Sequence, residues 1–207
     1  MLLGATPLYA AQPEAAANAI TSDWILDKLA RPAPMRTQFV ELRGSAMLKE
    51  PLRIAGEYQR PRDGVLVREV RVPYLETTTI TAGEVKIARG SKSPRTFSLS
   101  RAPELAGLQA SFGALLEGDR EQLEQHYRVA SDGTRQRWTM TLTPKRADLA
   151  AQVKRITLYG RGAELRCIET QPAGKADLQR TLLAGAARSA EGRDAAALTA
   201  LCRGDAR

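Results

Sequence analysis

Arg137-Trp138-Thr139-Met140-Thr141-Leu142-Thr143-Pro144 is the stretch from which the rest of this chain can be read. Trp138, Met140 and Leu142 alternate with Thr139, Thr141 and Thr143, so the large apolar side chains lie on one face of a strand and the hydroxyls on the other. Pro144 stops the run, because proline has no amide to give to a ladder. Downstream, Ile156 and Leu158 flank Thr157 in a second strand. Gly160-Arg161-Gly162 makes a turn, and Leu165 and Cys167 continue in a third strand. Residues 178–187 predict a last strand, and the Ala-rich tail over 189–202 predicts a helix.

Upstream the same period recurs. Val40 and Leu42 alternate with Glu41 and Arg43, Ile54 and Tyr58 flank Gly56, Val70 and Val72 flank Arg71, Val85 and Ile87 flank Lys86, and Phe97 and Leu99 flank Ser98. Thr77 to Thr81 is β-branched around Ile80. The pattern predicts strands with one face buried and one wet. Lys49-Glu50-Pro51, Arg62-Asp63-Gly64, Ala82-Gly83 and Arg89-Gly90-Ser91 separate them, and linkers this short predict hairpins in an antiparallel meander. From residue 101 the period changes. Leu105, Leu108, Phe112, Leu115 and Leu116 fall on one face of a helix, and Asp119 is placed to cap a short second helix over 120–125. At the start, residues 13–31 predict a helix with Ile20, Trp24, Ile25 and Leu29 on its apolar side, ended by Arg31-Pro32-Ala33-Pro34.

The chain has 207 residues, 43% of them hydrophobic, enough for one domain with a sizeable core. No run approaches the roughly 18 apolar residues of a membrane span. Aromatic residues make up only 5%, so an apolar cavity here must be lined mainly by aliphatic groups. The net charge of +8 favours anionic partners. Its basic residues are scattered from Arg31 to Arg207 without a block of five and without interleaved aromatic rings, which argues against nucleic acid. Residues 1–12 read as the remnant of a secretory signal, with small residues around Ala10, although no basic segment precedes them; an apolar irregular terminus is the alternative. Cys167 and Cys202 form no CxxC. They either close one disulfide in an oxidising compartment or remain thiols, Cys167 being buried in its strand pattern.

Catalytic parts are missing. The single histidine, His126, sits beside Tyr127 at a strand start and reads as a rim residue; no serine lies in a GxSxG, and no GxGxxG or GxxxxGK[ST] is present. One histidine with two distant cysteines does not suit zinc. We therefore expect neither an enzyme nor a cofactor.

Several of these motifs carry a resemblance. A leading helix precedes Phe39-Val40-Glu41-Leu42. Gly56-Glu57-Tyr58-Gln59-Arg60-Pro61 ends a strand in an Arg-Pro pair. Amphipathic helices fall mid-chain, followed by the Trp138–Pro144 strand and the Ile156-Thr157-Leu158-Tyr159-Gly160 hairpin. In this order the chain resembles the LolA family, the periplasmic carriers of outer-membrane lipoproteins. The resemblance implies an α+β, mainly β fold: an incomplete antiparallel β-barrel, or strongly curved sheet, with an N-terminal helix and a helical lid, as one domain over residues 13–207. It also implies a hydrophobic cavity between sheet and lid. Val40, Leu42, Ile54, Tyr58, Trp138, Met140, Leu142, Ile156 and Leu158 would line it from the sheet, and Leu105, Leu108, Phe112, Leu115 and Leu116 from the lid. The helical stripe, and Trp138, Met140 and Leu142, would look identical in a permanently filled core. By position, the family's lid-controlling arginine corresponds to Arg60. The chain departs from the family where Arg62-Asp63-Gly64 follows Pro61 in place of apolar and aromatic residues, and in its short insert.

The expected function is a monomeric periplasmic shuttle. It would receive acylated cargo, a lipoprotein or another lipid-linked amphiphile, from an inner-membrane donor transporter. It would deliver that cargo to an outer-membrane acceptor, touching membrane surfaces transiently. Burying a C16 chain at about 0.8 kcal/mol per CH₂ supplies on the order of 10 kcal/mol before ordering costs, enough to draw a lipid tail from a donor without nucleotide hydrolysis. The alternative is a non-transporting lipid-binding module accessory to a membrane export complex.

Overall fold

A computed structural model describes residues 20–44, 48–99, 114–175 and 177–205. Six strands precede the change of period: β1 (Met35–Arg43), β2 (Leu52–Arg60), β3 (Leu66–Val72), β4 (Glu76–Ile80), β5 (Glu84–Arg89) and β6 (Arg95–Ser98). Five follow it: β7 (Tyr127–Thr134), β8 (Arg137–Pro144), β9 (Val153–Arg161), β10 (Glu164–Pro172) and β11 (Gln179–Leu183). All eleven form one antiparallel sheet in the order β6-β5-β4-β3-β2-β1-β11-β10-β9-β8-β7. Each half is a hairpin meander, as the short turns predict, and the pairing of β1 with β11, Phe39 opposite Leu183, joins the halves. β6 and β7 are free edges, so the barrel stays open.

A flat sheet of eleven strands would be about 48 Å wide at ~4.8 Å per strand. Yet Val85 of β5, Phe39 of β1 and Leu142 of β8 belong to a single buried cluster. The sheet therefore curls around its contents. Those contents are helical: Ile25, Leu26 and Leu29 of α1 (Ser22–Leu29), Ala114 and Leu115 of a helical segment at 114–117, and Leu123 of α2 (Arg120–His126). Local chemistry sets the helix ends. The Thr21 hydroxyl accepts from the Trp24 amide at 3.2 Å and the Asp119 carboxylate from the Gln122 amide at 2.9 Å, each satisfying an orphan amide of a first turn. Thr21 is extended, so the leading helix starts at Ser22 and does not run unbroken over 13–31; residues 13–19 lie outside the described region.

The expectation of one wet face fails at the centre of the sheet. Val40 and Leu42 of β1, Cys167 of β10 and Leu182 of β11 are buried on the outer face. There they lie beneath α4 (Ala184–Arg188) and α5 (Ala195–Arg203), with Ala186, Ala187, Leu198, Leu201 and Cys202 above them. Asp194 caps α5 by accepting from the Ala197 amide at 2.7 Å, and Gly204, with φ of 77°, ends it. Cys167 and Cys202 are joined by a disulfide that ties α5 to β10, with 5.1 Å between their Cα atoms. The last strand is shorter than 178–187, because Ala184 turns the chain out of β11 and into α4. A short helix, α3 (Ala147–Ala150), links β8 to β9.

Candidate functional site

At the end of the sheet where β1 begins and β2 ends, the inner face is not filled. A cavity of about 570 Å³ opens there, within the 300–1,000 Å³ range of small-ligand sites. Leu29 comes from α1, Met35 and Thr37 from β1, Tyr58 from β2, Leu66 from β3, Leu115 and Leu116 from the segment at 114–117, Ala163 and Leu165 from the β9–β10 hairpin, and Leu183 and Ala184 from the exit of β11. The walls are mostly aliphatic, as the low aromatic content requires. Ala184 is held at φ of 47°, a backbone region that β-carbon-bearing residues rarely adopt. The Glu164 carboxylate accepts from the next amide, that of Gly185, and pins this corner beside the cavity.

Arg60 is the last residue of β2. Its side chain is only 7% exposed. Nη1 donates to the Arg31 carbonyl at 2.8 Å, and Nη2 reaches the carboxylates of Glu117 at 2.8 Å and Asp63 at 2.7 Å. The Arg31 amide in turn donates to the Leu116 carbonyl at 2.9 Å, and the Arg31 guanidinium spans to the Ala163 carbonyl at 3.2 Å. The planar, multi-donor guanidinium can satisfy all these acceptors at once, which lysine cannot. Arg60 thus bolts the 114–117 segment to the α1–β1 connection across the mouth of the cavity.

Further along the inner face the surface turns polar. Glu41 is 1% exposed and accepts from Arg43 at 2.6 Å and from Arg68 at 3.0 Å. Arg68 lies 4.9 Å above the Phe39 ring and 3.9 Å from Glu76, which pairs with Arg89. Tyr58 stands between this strip and the cavity, its ring 4.7 Å from that of Phe39. Burial pushes the Tyr58 hydroxyl above its ordinary pKa, against the opposing charge and hydrogen bond of Arg68.

Of the residues singled out from the sequence, Tyr58, Leu115 and Leu116 line this cavity, and Arg60 sits at its mouth. Ile54, Trp138, Met140, Leu142 and Leu158 face inward but are fully buried in packed core, with Ile156 partly buried against them. For Trp138, Met140 and Leu142 the filled-core alternative is what the structure has, and Ile54, Ile156 and Leu158 pack into the same core. Val40 and Leu42 are a correction: they point to the opposite face, under α4 and α5. The error arises because Glu41 reads as solvent-facing, yet two arginines let it be buried on the inner face. Leu105, Leu108 and Phe112 lie outside the described residues. Sequence reasoning missed Met35, Leu66, Leu165 and Leu183, which stand at strand ends where alternation is too short to assign a face.

His126 is the last residue of α2, and its backbone carbonyl accepts from the Lys145 amide at 2.9 Å. Among the described residues no helix is long and apolar enough to cross a membrane.

Among solved structures, the crystal structure of a LolA superfamily protein from Nitrosomonas europaea aligns with 80% of this chain and 92% of its own, at 10% identity and a TM-score of 0.41. No curated protein matches. The family of outer membrane lipoprotein carrier protein LolA-like sequences matches residues 14–206. That match spans nearly the whole sequence, and the chain belongs to the LolA-like family.

Proposed function

We propose that this protein is a periplasmic carrier that takes an acyl chain from the inner membrane into the cavity beside Arg60 and passes it to an acceptor at the outer membrane. The observation that carries this reading is an aliphatic cavity of about 570 Å³ whose mouth is crossed by an arginine latch. A volume of that size suits one acyl chain better than the several chains of a fully acylated lipoprotein anchor, which favours a single-chain amphiphile as cargo. Membership of the carrier family, whose proteins bind rather than catalyse, supports the same reading.

Arg60 is the proposed gate. A cargo entering between α1 and the 114–117 segment must part Arg60 from Arg31 and Glu117, so the latch works against loading. Arg60→Leu should raise affinity for an acylated fluorescent probe and slow its hand-over to acceptor vesicles by about tenfold, equivalent to ~1.4 kcal/mol, the order of one charge-assisted hydrogen bond. Transfer at the parental rate would remove Arg60 from the mechanism. Parental uptake with no transfer to any acceptor would favour the accessory lipid-binding module.

A further inference from the structure

Around the aliphatic walls of the cavity the lining is strongly basic. It includes five arginines, Arg31, Arg36, Arg60, Arg161 and Arg188, and one carboxylate, Glu164. Two of the five are matched by carboxylates: Arg60 by Glu117 and Asp63, and Arg36 by Glu57 at 4.0 Å. The other three have no carboxylate partner among the described residues. Among the described residues, the Arg31 guanidinium donates to the backbone carbonyls of Lys28, Ala30 and Ala163. Arg161, on the β9–β10 hairpin, and Arg188, at the end of α4, are exposed. Glu164 is engaged by the Gly185 amide. Among the described residues, three guanidinium groups without a carboxylate partner therefore border a cavity whose walls are mainly aliphatic.

From this juxtaposition we propose that the cargo is an anionic single-chain amphiphile, whose tail occupies the aliphatic cavity and whose carboxylate or phosphate headgroup is held at the mouth by Arg161, Arg188 and Arg31. The inference rests on the carrier reading above and narrows its substrate class. A cavity meant only for uncharged acyl groups has no use for unpaired cations at its rim, since bringing a neutral headgroup there desolvates arginine without return. An anionic headgroup reverses that sign, and the forked donors of guanidinium match carboxylate and phosphate oxygens in pairs. Arg31 adds a coupling. Its amide and carbonyl belong to the latch, while its guanidinium faces the headgroup, so headgroup arrival and opening at Arg60 meet in one residue.

The test uses the full chain and displacement of the uncharged fluorophore N-phenyl-1-naphthylamine by three ligands with the same twelve-carbon chain: dodecanoate, dodecyl phosphate and monododecanoylglycerol. The two anions should displace the probe about tenfold more strongly than the neutral ester at low salt. The gap should narrow as ionic strength rises and the Debye length falls below about 10 Å. In Arg161→Gln/Arg188→Gln the anions should fall to within about threefold of the ester while the ester is unchanged; both side chains are exposed, so the fold should survive, as circular dichroism will show. Dodecanoate and dodecyl phosphate compared with each other identify the headgroup chemistry. Equal displacement by all three ligands would overturn the headgroup proposal and leave the cavity standing. Failure of the probe itself to bind would overturn the carrier reading and this proposal with it.

Discussion

Glu169 of β10 shows how single residues decide which face of this sheet can be buried. Its side chain is 7% exposed on the outer face, where Nε of Arg180 donates at 2.7 Å, the Tyr159 hydroxyl at 2.9 Å and Nε of Arg203 at 3.3 Å. Burial alone would raise its pKa; the hydrogen bonds from Arg180 and Tyr159 and the charges of Arg180 and Arg203 outweigh that and hold the carboxyl below its ordinary value. A carboxylate depressed in this way stabilises the fold fully above the ordinary glutamate value of 4.5 and loses that contribution as pH falls through the lower folded-state value. Glu169→Gln should therefore cost about 2 kcal/mol near neutral pH, and the gap from the parent should close below pH 4.5 in urea melts run across that range. A gap independent of pH would show that packing, not charge, makes the difference. A second buried glutamate, Glu41 on the inner face, is where sequence reasoning reads the sheet wrongly. A glutamate in an alternating strand looks wet, and its buried state depends on arginines supplied by other strands, which no local pattern reveals.

At the scale of elements, the β8–β9 pair and the α5 cap were legible to different degrees. The alternation in Trp138–Leu142 predicts strand and face correctly. It does not predict that the Trp138 indole lies flat across Gly160 on β9, where an added Cβ would fall 1.9 Å from Cζ2; the indole nitrogen there donates to the Gly162 carbonyl at 2.9 Å. Gly160→Ala must push that ring out of a full core and should cost about 2 kcal/mol by overpacking, visible in denaturant melts with a shifted Trp emission. A neutral substitution would mean that the ring has room to move. The helix expected over 189–202 was legible from its alanines, although it starts only at Ala195 after the Asp194 cap, but its berth was not, because the sequence does not say which sheet face an apolar helix will cover. The disulfide closes a span of 35 residues. In the chain-entropy account, such a loop contributes about 3–4 kcal/mol. Cys167→Ser should then lower the melting temperature by about 10 °C, and reductant should do the same to the parent. A fall equal to that of an ordinary buried thiol substitution, with no effect of reductant, would show the pair unbonded.

For the whole molecule, the antiparallel meander, the leading helix and the short helix after Asp119 follow from periodicity and turn chemistry, and they survive in the structure; the open barrel is what the family resemblance implies, and most of the helix expected from residue 101 lies outside the described residues. The size and place of the cavity did not follow. Most inward-facing positions of β8 and β9 are spent on packing against α1 and α2, and the inner face of β1, β3 and β4 carries the Glu41–Arg68–Glu76 strip, while the end near Arg60 is left unfilled by the described residues. That division depends on how tightly the sheet curls, a global property set by the sum of its strand twists. The proposed carrier function depends on an acyl chain occupying this remaining space. It is tested most directly by native mass spectrometry of the protein purified from a double-membraned host, followed by lipid extraction. The expected result is a co-purifying species that carries a single acyl chain, bound once per protein and released by organic solvent. A protein that arrives without adducts and also refuses an apolar fluorophore would contradict it and mark the space beside Arg60 as a structural gap.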